Sequence, residues 1–149
     1  MYRNTQFAWV IWLLLAFIAS FTTLAIYLTG TNIAFVGFLV ILAIVAFIFY
    51  GLTVEVNPQQ QTLSWWFGPS VAKITLKFDD IDYVQPVKNS LRHGLGMRIS
   101  TDGWVYTVAG FDALEVVMKD GTKYRVGTND KTQLVAAMES KLINKQSAE

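Results

Sequence analysis

Two long apolar runs open the chain, and a four-residue turn at 29–32 separates them. The runs cover 7–28 and 33–52, and neither contains a charged side chain. At about 1.5 Å per helical residue they reach about 33 and 30 Å, which matches the hydrocarbon core of a bilayer at about 30 Å. Because the turn is so short, the two helices must be antiparallel neighbours. The pattern predicts a two-helix transmembrane hairpin over residues 1–52.

A core helix of a water-soluble protein and a cleaved signal peptide are the alternatives to a membrane hairpin. The 97 residues that follow residue 52 are too few to cover both runs on all sides. A signal peptide has a shorter apolar core, and here a second full-length run follows at once. We therefore expect membrane helices.

From residue 53 onward the apolar period changes from helical to alternating. Leu63, Trp65 and Phe67 point to one face, and so do the apolar side chains at even positions in 74–78. Alternation of this kind is typical of half-buried strands. Further on, two Asp-Gly turns favour hairpins, because their glycine tolerates a positive φ. The expected hairpins pair 97–100 with 104–108 and 113–118 with 122–127.

The last segment returns to a helical period. Asp130 is the expected N-cap, and Leu134, Met138 and Leu142 form an apolar stripe behind it. The whole pattern predicts a membrane α-helical hairpin plus an α+β domain at 53–149. We expect this domain to be a seven-stranded antiparallel β-barrel or sandwich that is closed by the C-terminal α-helix.

A series of glycine and turn motifs lies within 93–130. It consists of a glycine-rich lead, a Gly-Trp turn, an Asp-Gly hairpin and a Gly-Thr-Asn-Asp entry to the last helix. The residues are Gly94 and Gly96, Gly103-Trp104, Gly110, Asp120-Gly121 and Gly127-Thr128-Asn129-Asp130. In these motifs the chain resembles the bacterial pleckstrin-homology-type (PH-like) membrane proteins, and the resemblance extends over 53–143. It implies a PH-like fold.

The matching positions are turn and packing residues, so this resemblance implies a fold without implying a catalytic group. The layout of two spans and one small domain also resembles the photosystem I assembly factors of cyanobacteria and plastids, which are non-enzymatic helpers. From both resemblances we expect an accessory or assembly subunit, placed in the bacterial inner membrane.

Charge is distributed as unevenly as hydrophobicity. All charged residues except Arg3 follow residue 52, and in that part Lys and Arg equal Asp and Glu in number. A domain without net charge lacks the basic surface that nucleic acid requires. Arg3 and the domain lie on the same side of the hairpin, and the turn carries no charge. The positive-inside rule therefore predicts that both termini and the domain are cytoplasmic.

Few residues carry recognisable chemistry. The chain has no cysteine and one histidine, His93, which excludes disulfides and disfavours a transition-metal site. No Gly-x-Ser-x-Gly elbow accompanies His93, and the turn of the first hairpin, 57–61, lacks the basic residues that would bind phosphate. We expect no enzymatic activity, no cofactor and no metal.

Two sets of residues are candidates for contact with a partner or with lipid. Trp66, between the core positions 65 and 67, should face outward, where an exposed indole often marks a contact surface. The long loop region carries Lys88, Arg92, His93 and Arg98, and each exposed cation adds about 1 kcal/mol near an anionic surface. An ordinary solvated loop is the simpler interpretation of the second set.

The expected function is that of a non-enzymatic, membrane-anchored PH-like binding or scaffolding module. Its expected partners are the lipid bilayer and either another membrane protein or a second copy, contacted through a strand edge or through Trp66. Anchoring raises the effective concentration, so a weak contact suffices. The alternative is a peripheral module that senses lipid headgroups through Lys88, Arg92 and Arg98.

Overall fold

The computed structural model describes residues 1–90, 93–101 and 103–146, and side chains as far as residue 139. Nine strands and three α-helices are present in this part of the chain, with a 3₁₀ turn at Phe78–Asp80. The helices are α1 (Trp9–Thr29), α2 (Ile33–Ile48) and α3 (Lys131–Gln146). The strands are β1 (Tyr2–Phe7), β2 (Gly51–Asn57), β3 (Thr62–Phe67), β4 (Val71–Lys77), β5 (Ile81–Lys88), β6 (Gly96–Ser100), β7 (Gly103–Thr107), β8 (Asp112–Met118) and β9 (Lys123–Gly127).

Helix α1 is long and apolar enough to cross a bilayer. Its 21 residues extend about 31 Å, and almost none of them is buried within the protein. Helix α2 has 16 residues and extends about 24 Å. It ends at Ile48 rather than at residue 52, because Gly51 and Leu52 belong to β2 and Leu52 is fully buried in the β-domain. The predicted second span was therefore too long at its C-terminal end.

The sequence pattern did not predict strand β1 at the N-terminus. This strand pairs antiparallel with β2, and Phe7 lies opposite Gly51. Apolar alternation is missing because two inward positions carry Asn4 and Gln6. The Gln6 side chain is buried and its Nε2 donates to the carbonyl of Ala109 at 2.8 Å. Hydrogen bonds therefore take the place of apolar contacts on the inner face of this strand.

The strands form two sheets that are not hydrogen-bonded to each other within the described residues. The first has the order β1-β2-β3-β4 and the second the order β5-β8-β9-β7-β6. Neighbouring strands are antiparallel, except that β7 runs parallel to β9. The α+β class is confirmed, but the described chain has nine strands in two open sheets where seven antiparallel strands were expected. The difference comes from pairing between distant parts of the chain. Strand β7 pairs with β9 instead of β8, which produces the parallel neighbours, and β1 adds a strand that precedes the helices.

Both predicted Asp-Gly hairpins are present, as β6–β7 and β8–β9. Gly103 and Gly121 begin or end these turns with φ values of 94° and 88°. At Gly103 an added side chain would collide with the carbonyl oxygen of Lys123, so glycine is required there for space as well as for conformation. The local turn chemistry in the sequence therefore identified both hairpins correctly.

The core lies between the inner faces of the two sheets. Trp65 of β3 is fully buried and packs edge-on against Tyr106 and Tyr124 of the second sheet, with ring centroids 5.4 and 5.6 Å apart. Aromatic contacts of this geometry stabilise a core beyond their buried area. They hold the two sheets face to face.

Helix α3 covers the core beside β5 and β8. The predicted stripe is confirmed at Leu134 and Met138, both fully buried. Asp130 is the predicted cap: its carboxylate accepts the Gln133 N–H at 3.4 Å. The helix therefore begins where the sequence places it.

The two apolar helices join the first sheet almost without linkers. Only Ala8 separates β1 from α1, and two residues separate α2 from β2. The Ala8 N–H donates to the carbonyl of Tyr50 at 3.0 Å. In the turn after β3, a side chain at Gly68 would collide with the carbonyl oxygen of Ile48. We call this region, Ala8 with Ile48 to Gly51 and Gly68, the junction; it holds the helices and the sheet together as one unit.

Candidate functional site

Trp66 lies on the outer face of the first sheet, as expected, but it is not an exposed indole. Only 8% of its surface is accessible. The Arg3 guanidinium carbon lies 5.4 Å from the ring centroid and the Lys73 ammonium 4.9 Å. Cation–π contacts of this kind contribute about 0.5–1 kcal/mol each at the surface. The expected exposure was wrong because β1, which the pattern did not reveal, places Arg3 over the ring.

His93 is also buried, with 9% of its surface accessible. The backbone N–H of Ser90 donates to its Nδ1 at 2.8 Å, and the Arg125 guanidinium lies 3.0 Å from its Nε2. Both ring nitrogens therefore contact protein groups. His93 was expected on an exposed loop, either as a partner or lipid contact or simply in solvent, and the burial of its ring contradicts that exposure.

A buried carboxylate also contacts Arg125. Glu115 of β8 is 4% exposed and accepts a hydrogen bond from Arg125 Nε at 2.9 Å. Its other oxygen accepts from Gln85 Nε2 at 2.6 Å. We call Gln85, Ser90, His93, Glu115 and Arg125 the polar network. It fastens the segment after β5 onto the outer face of β8 and β9.

The sequence pattern did not predict the polar network, but one residue of the network, Glu115, is recognisable in the sequence. Glu115 interrupts an otherwise apolar strand, 113–118. An acidic side chain in such a strand requires a cation or a set of donors when it is buried. That signal predicts an ion pair for Glu115 but does not say which basic residue forms it, because Arg125 is reached only through the β8–β9 pairing.

The basic residues of the loop region do not form one cluster. Lys88 ends β5 and Arg98 lies in β6, and these strands are the two opposite edges of the second sheet. Four strand spacings separate them, which is about 19 Å. Both side chains are exposed, and that of Arg98 lies beside Gly94. Arg92 lies outside the described residues. Trp66 is on the other sheet, so the structure does not bring the predicted contact residues together.

Strand β6 is an outermost strand with apolar side chains. Met97 and Ile99 are 48% and 68% exposed, although their positions face the inner side of the sheet. Beside the end of β6 lies a groove of about 420 Å³ whose lining includes Ile99, Trp104 and Thr122. An edge strand presents unpaired backbone groups that accept another strand. The β6 edge is therefore an accessible apolar surface of the β-domain.

Tyr106, Tyr2 and Asp120, all outside the apolar helices, have a shifted pKa. Burial raises the pKa of the Tyr106 phenol, and the neighbouring Tyr124 adds to the rise. Burial likewise raises the pKa of Tyr2, whose hydroxyl donates to the carbonyl of Asp130. The backbone N–H of Thr122 donates to Asp120 and lowers the pKa of that carboxyl. Tyr106 belongs to the core, Tyr2 to the edge strand β1 and Asp120 to the turn between β8 and β9.

A metal site is not formed by the residues that the structure describes. Among them, no group of three or more His, Cys, Asp or Glu side chains is arranged to hold an ion. The buried combination of Glu115, Arg125 and His93 is held by mutual hydrogen bonds. Its evident effect is to position a segment of chain.

Comparisons with known proteins add no relative. No family model, no curated protein and no solved structure matches this chain. The function must therefore be argued from the residues and their geometry.

Proposed function

We propose that this chain is a membrane-anchored, non-enzymatic binding module, in which α1 and α2 form the anchor and the edge strand β6 receives a strand from another membrane protein. The observation that carries the proposal is the exposure of Met97 and Ile99 on an outermost strand. Peptides that add to a sheet edge gain affinity from backbone hydrogen bonds and specificity from alternate side chains.

The partner segment is expected to be extended and to carry apolar side chains at alternate positions. Those side chains would cover Met97 and Ile99, and one would enter the groove beside Trp104. Covering one large apolar side chain contributes about 1.5–3 kcal/mol. Because both proteins are held in the same membrane, a contact of this size is sufficient for an accessory or assembly subunit.

The membrane part of the proposal rests on α1, which has the length and apolarity of a span, and on the junction, which places α2 beside it. Aromatic side chains at Trp9, Trp12 and Tyr50 lie where the helices meet the β-domain, as is typical of a membrane interface. Arg3 supports an orientation with the termini and the β-domain in the cytoplasm of a bacterium. Kinship with PH-like membrane proteins is part of the proposal and rests on the glycine and turn motifs of 93–130.

The test is purification of the full chain in mild detergent, followed by identification of bound proteins. We expect a complex that Ile99→Asp dissociates, because a carboxylate would be buried against the partner strand. Val71→Asp is the matched control: Val71 is an exposed apolar residue on β4, the edge strand of the first sheet.

Retention of the partner by the Val71→Asp variant and its loss from the Ile99→Asp variant would support β6 as the contact. A complex made only of this chain would identify a second copy as the partner. Recovery of the wild-type chain solely as a free monomer would overturn the proposal.

A further inference from the structure

The loop between β7 and β8 lies beside the start of α1. The carbonyl of Ala109 in this loop accepts the side-chain N–H of Gln6 at 2.8 Å, and both residues are buried. Gln6 stands three positions before Trp9, where α1 begins. A buried hydrogen bond in such a place is costly to break. The loop is therefore fixed at the end of the β-domain from which the apolar helices leave.

An aromatic side chain projects from this loop. Phe111 is 53% exposed, whereas the preceding Val108 and Ala109 are buried. The backbone of Phe111 is held from the other side as well, because its carbonyl accepts the Asn89 N–H at 2.6 Å. A phenyl ring left half exposed on a fixed backbone is less favourable than a buried one. Its surroundings in the free protein do not supply that burial.

Two polar features accompany the ring at the same end. Lys88 is exposed and lies opposite Asp112 in the β5–β8 pairing, and Asp112 also binds Lys131 at 2.9 Å. The side chain of Asn89 is 7% exposed, and within the described residues neither its Nδ2 nor its Oδ1 has a hydrogen-bond partner. An exposed lysine and a Lys131–Asp112 ion pair therefore lie near an amide whose side-chain atoms have no hydrogen-bond partner within the described residues.

We infer that this end of the β-domain rests on the bilayer, with the Phe111 ring in the interface and Lys88 among the lipid headgroups. The inference depends on the proposed function, since it requires α1 and α2 to be inserted. Aromatic rings favour the interface, and cations are attracted to the anionic headgroups. The interface then buries the Phe111 ring, and the lipid headgroups lie beside Lys88 and the loop.

The consequence is a β-domain with a fixed orientation toward the membrane. The junction holds one point of the domain at the bilayer, and Phe111 adds a second point on the other sheet. Two points of attachment restrict rotation far more than one. Strand β6 would then be presented at a constant height to a partner in the same membrane.

The absence of cysteine from the chain makes a site-specific test direct. Single-cysteine variants at Phe111, Lys88, Phe17 and Lys119 are labelled with bimane, an apolar fluorophore that keeps an apolar group at position 111. Each full-length variant is reconstituted into nanodiscs of phosphatidylcholine and phosphatidylglycerol that contain nitroxide-labelled lipid. Phe17 lies near the middle of α1, and Lys119 follows β8, about 23 Å along the strand from Asp112.

We expect nitroxides on the headgroup to remove most of the fluorescence at positions 111 and 88, while position 119 keeps it. Nitroxides deep in the acyl chains should quench position 17. Quenching at 17 with no more quenching at 111 and 88 than at 119 would overturn the inference and leave the anchor in place. A lack of quenching at 17 would instead overturn the membrane part of the proposed function. The label at Lys88 keeps the test valid if the Phe111→Cys variant does not fold.

Discussion

Replacement of Glu115 by alanine should be among the most destabilising substitutions in the β-domain. The carboxylate is 2.9 Å from Arg125 Nε, and the two side chains are 5% and 14% exposed. Without Glu115 the guanidinium keeps its other contacts, His93 among them, but loses this buried carboxylate. Removal of one partner of a buried ion pair costs about 3–5 kcal/mol.

The chain contains a matched exposed pair for comparison. Arg3 and Glu55 are 3.9 Å apart, with side chains 56% and 21% exposed. Exposed pairs of this kind contribute about 0–1 kcal/mol. We therefore expect Glu55→Ala to lower the unfolding free energy by less than about 1 kcal/mol, even though the same two residue types are involved.

The assay is urea unfolding of the full chain in mild detergent, followed through tryptophan fluorescence, to which the buried Trp65 contributes as one of five tryptophans. The double variant Glu115→Leu with Arg125→Met should recover much of the loss, because it removes both charges and keeps volume in the site. Equal losses for Glu115→Ala and Glu55→Ala would refute the reasoning, since burial could not then be the source of the difference. A double variant as unstable as Glu115→Ala would show that packing rather than charge is responsible.

Three further outcomes follow from the structure. Tyr106→Phe should make the β-domain more resistant to alkaline unfolding. Because the pKa of Tyr106 is raised in the folded protein, its contribution to stability is complete below the unfolded-state pKa near 10 and is lost as the pH rises through the folded-state pKa. Unfolding measured as a function of pH checks this. Gly68→Ala should destabilise the chain more than Gly121→Ala in thermal unfolding, because both glycines have positive φ but only Gly68 lies against a carbonyl oxygen; equal losses would contradict the close contact at the junction. Replacing residues 8–50 by an Asn-Gly turn should leave a folded β-domain, because Phe7 and Gly51 are register partners. The fragment 53–149, which lacks β1, should lose the first sheet. Circular dichroism compares the two proteins, and equal folding would show that β1 is dispensable.

The sequence predicts those parts of the fold that depend on neighbouring residues. The Asp-Gly hairpins, the Asp130 cap and the stripe of α3 are local features. The hairpins, the cap and the stripe at Leu134 and Met138 are found where the pattern places them, and the Leu142 side chain lies outside the described residues. The apolar runs identify both helices, but the run at 33–52 continues from α2 into the buried Leu52. One apolar side chain is suited to either environment, so hydropathy alone does not mark the boundary.

The candidate contact residues were less predictable because their surroundings come from distant parts of the chain. Trp66 is covered by Arg3, which lies on a strand before the helices. His93 is held by Arg125, which the strand order of the second sheet brings beneath it. Lys88 and Arg98, ten positions apart in sequence, end on opposite edges of that sheet. The β6–β7 hairpin lies between β5 and β8 in the sequence, although β5 and β8 are neighbours in the sheet. Distance along the chain is therefore a poor guide to contact in this sheet.

The pairing of β1 with β2 has a consequence for biosynthesis. Strand β1 is translated first, yet its neighbour begins only at Gly51, after both apolar helices. In the proposed membrane state, insertion of the helices as an antiparallel pair brings Phe7 and Gly51 together before the rest of the β-domain has left the ribosome. The bilayer would thereby close a long loop whose entropy would otherwise oppose the pairing, and the first sheet would grow outward from the membrane surface.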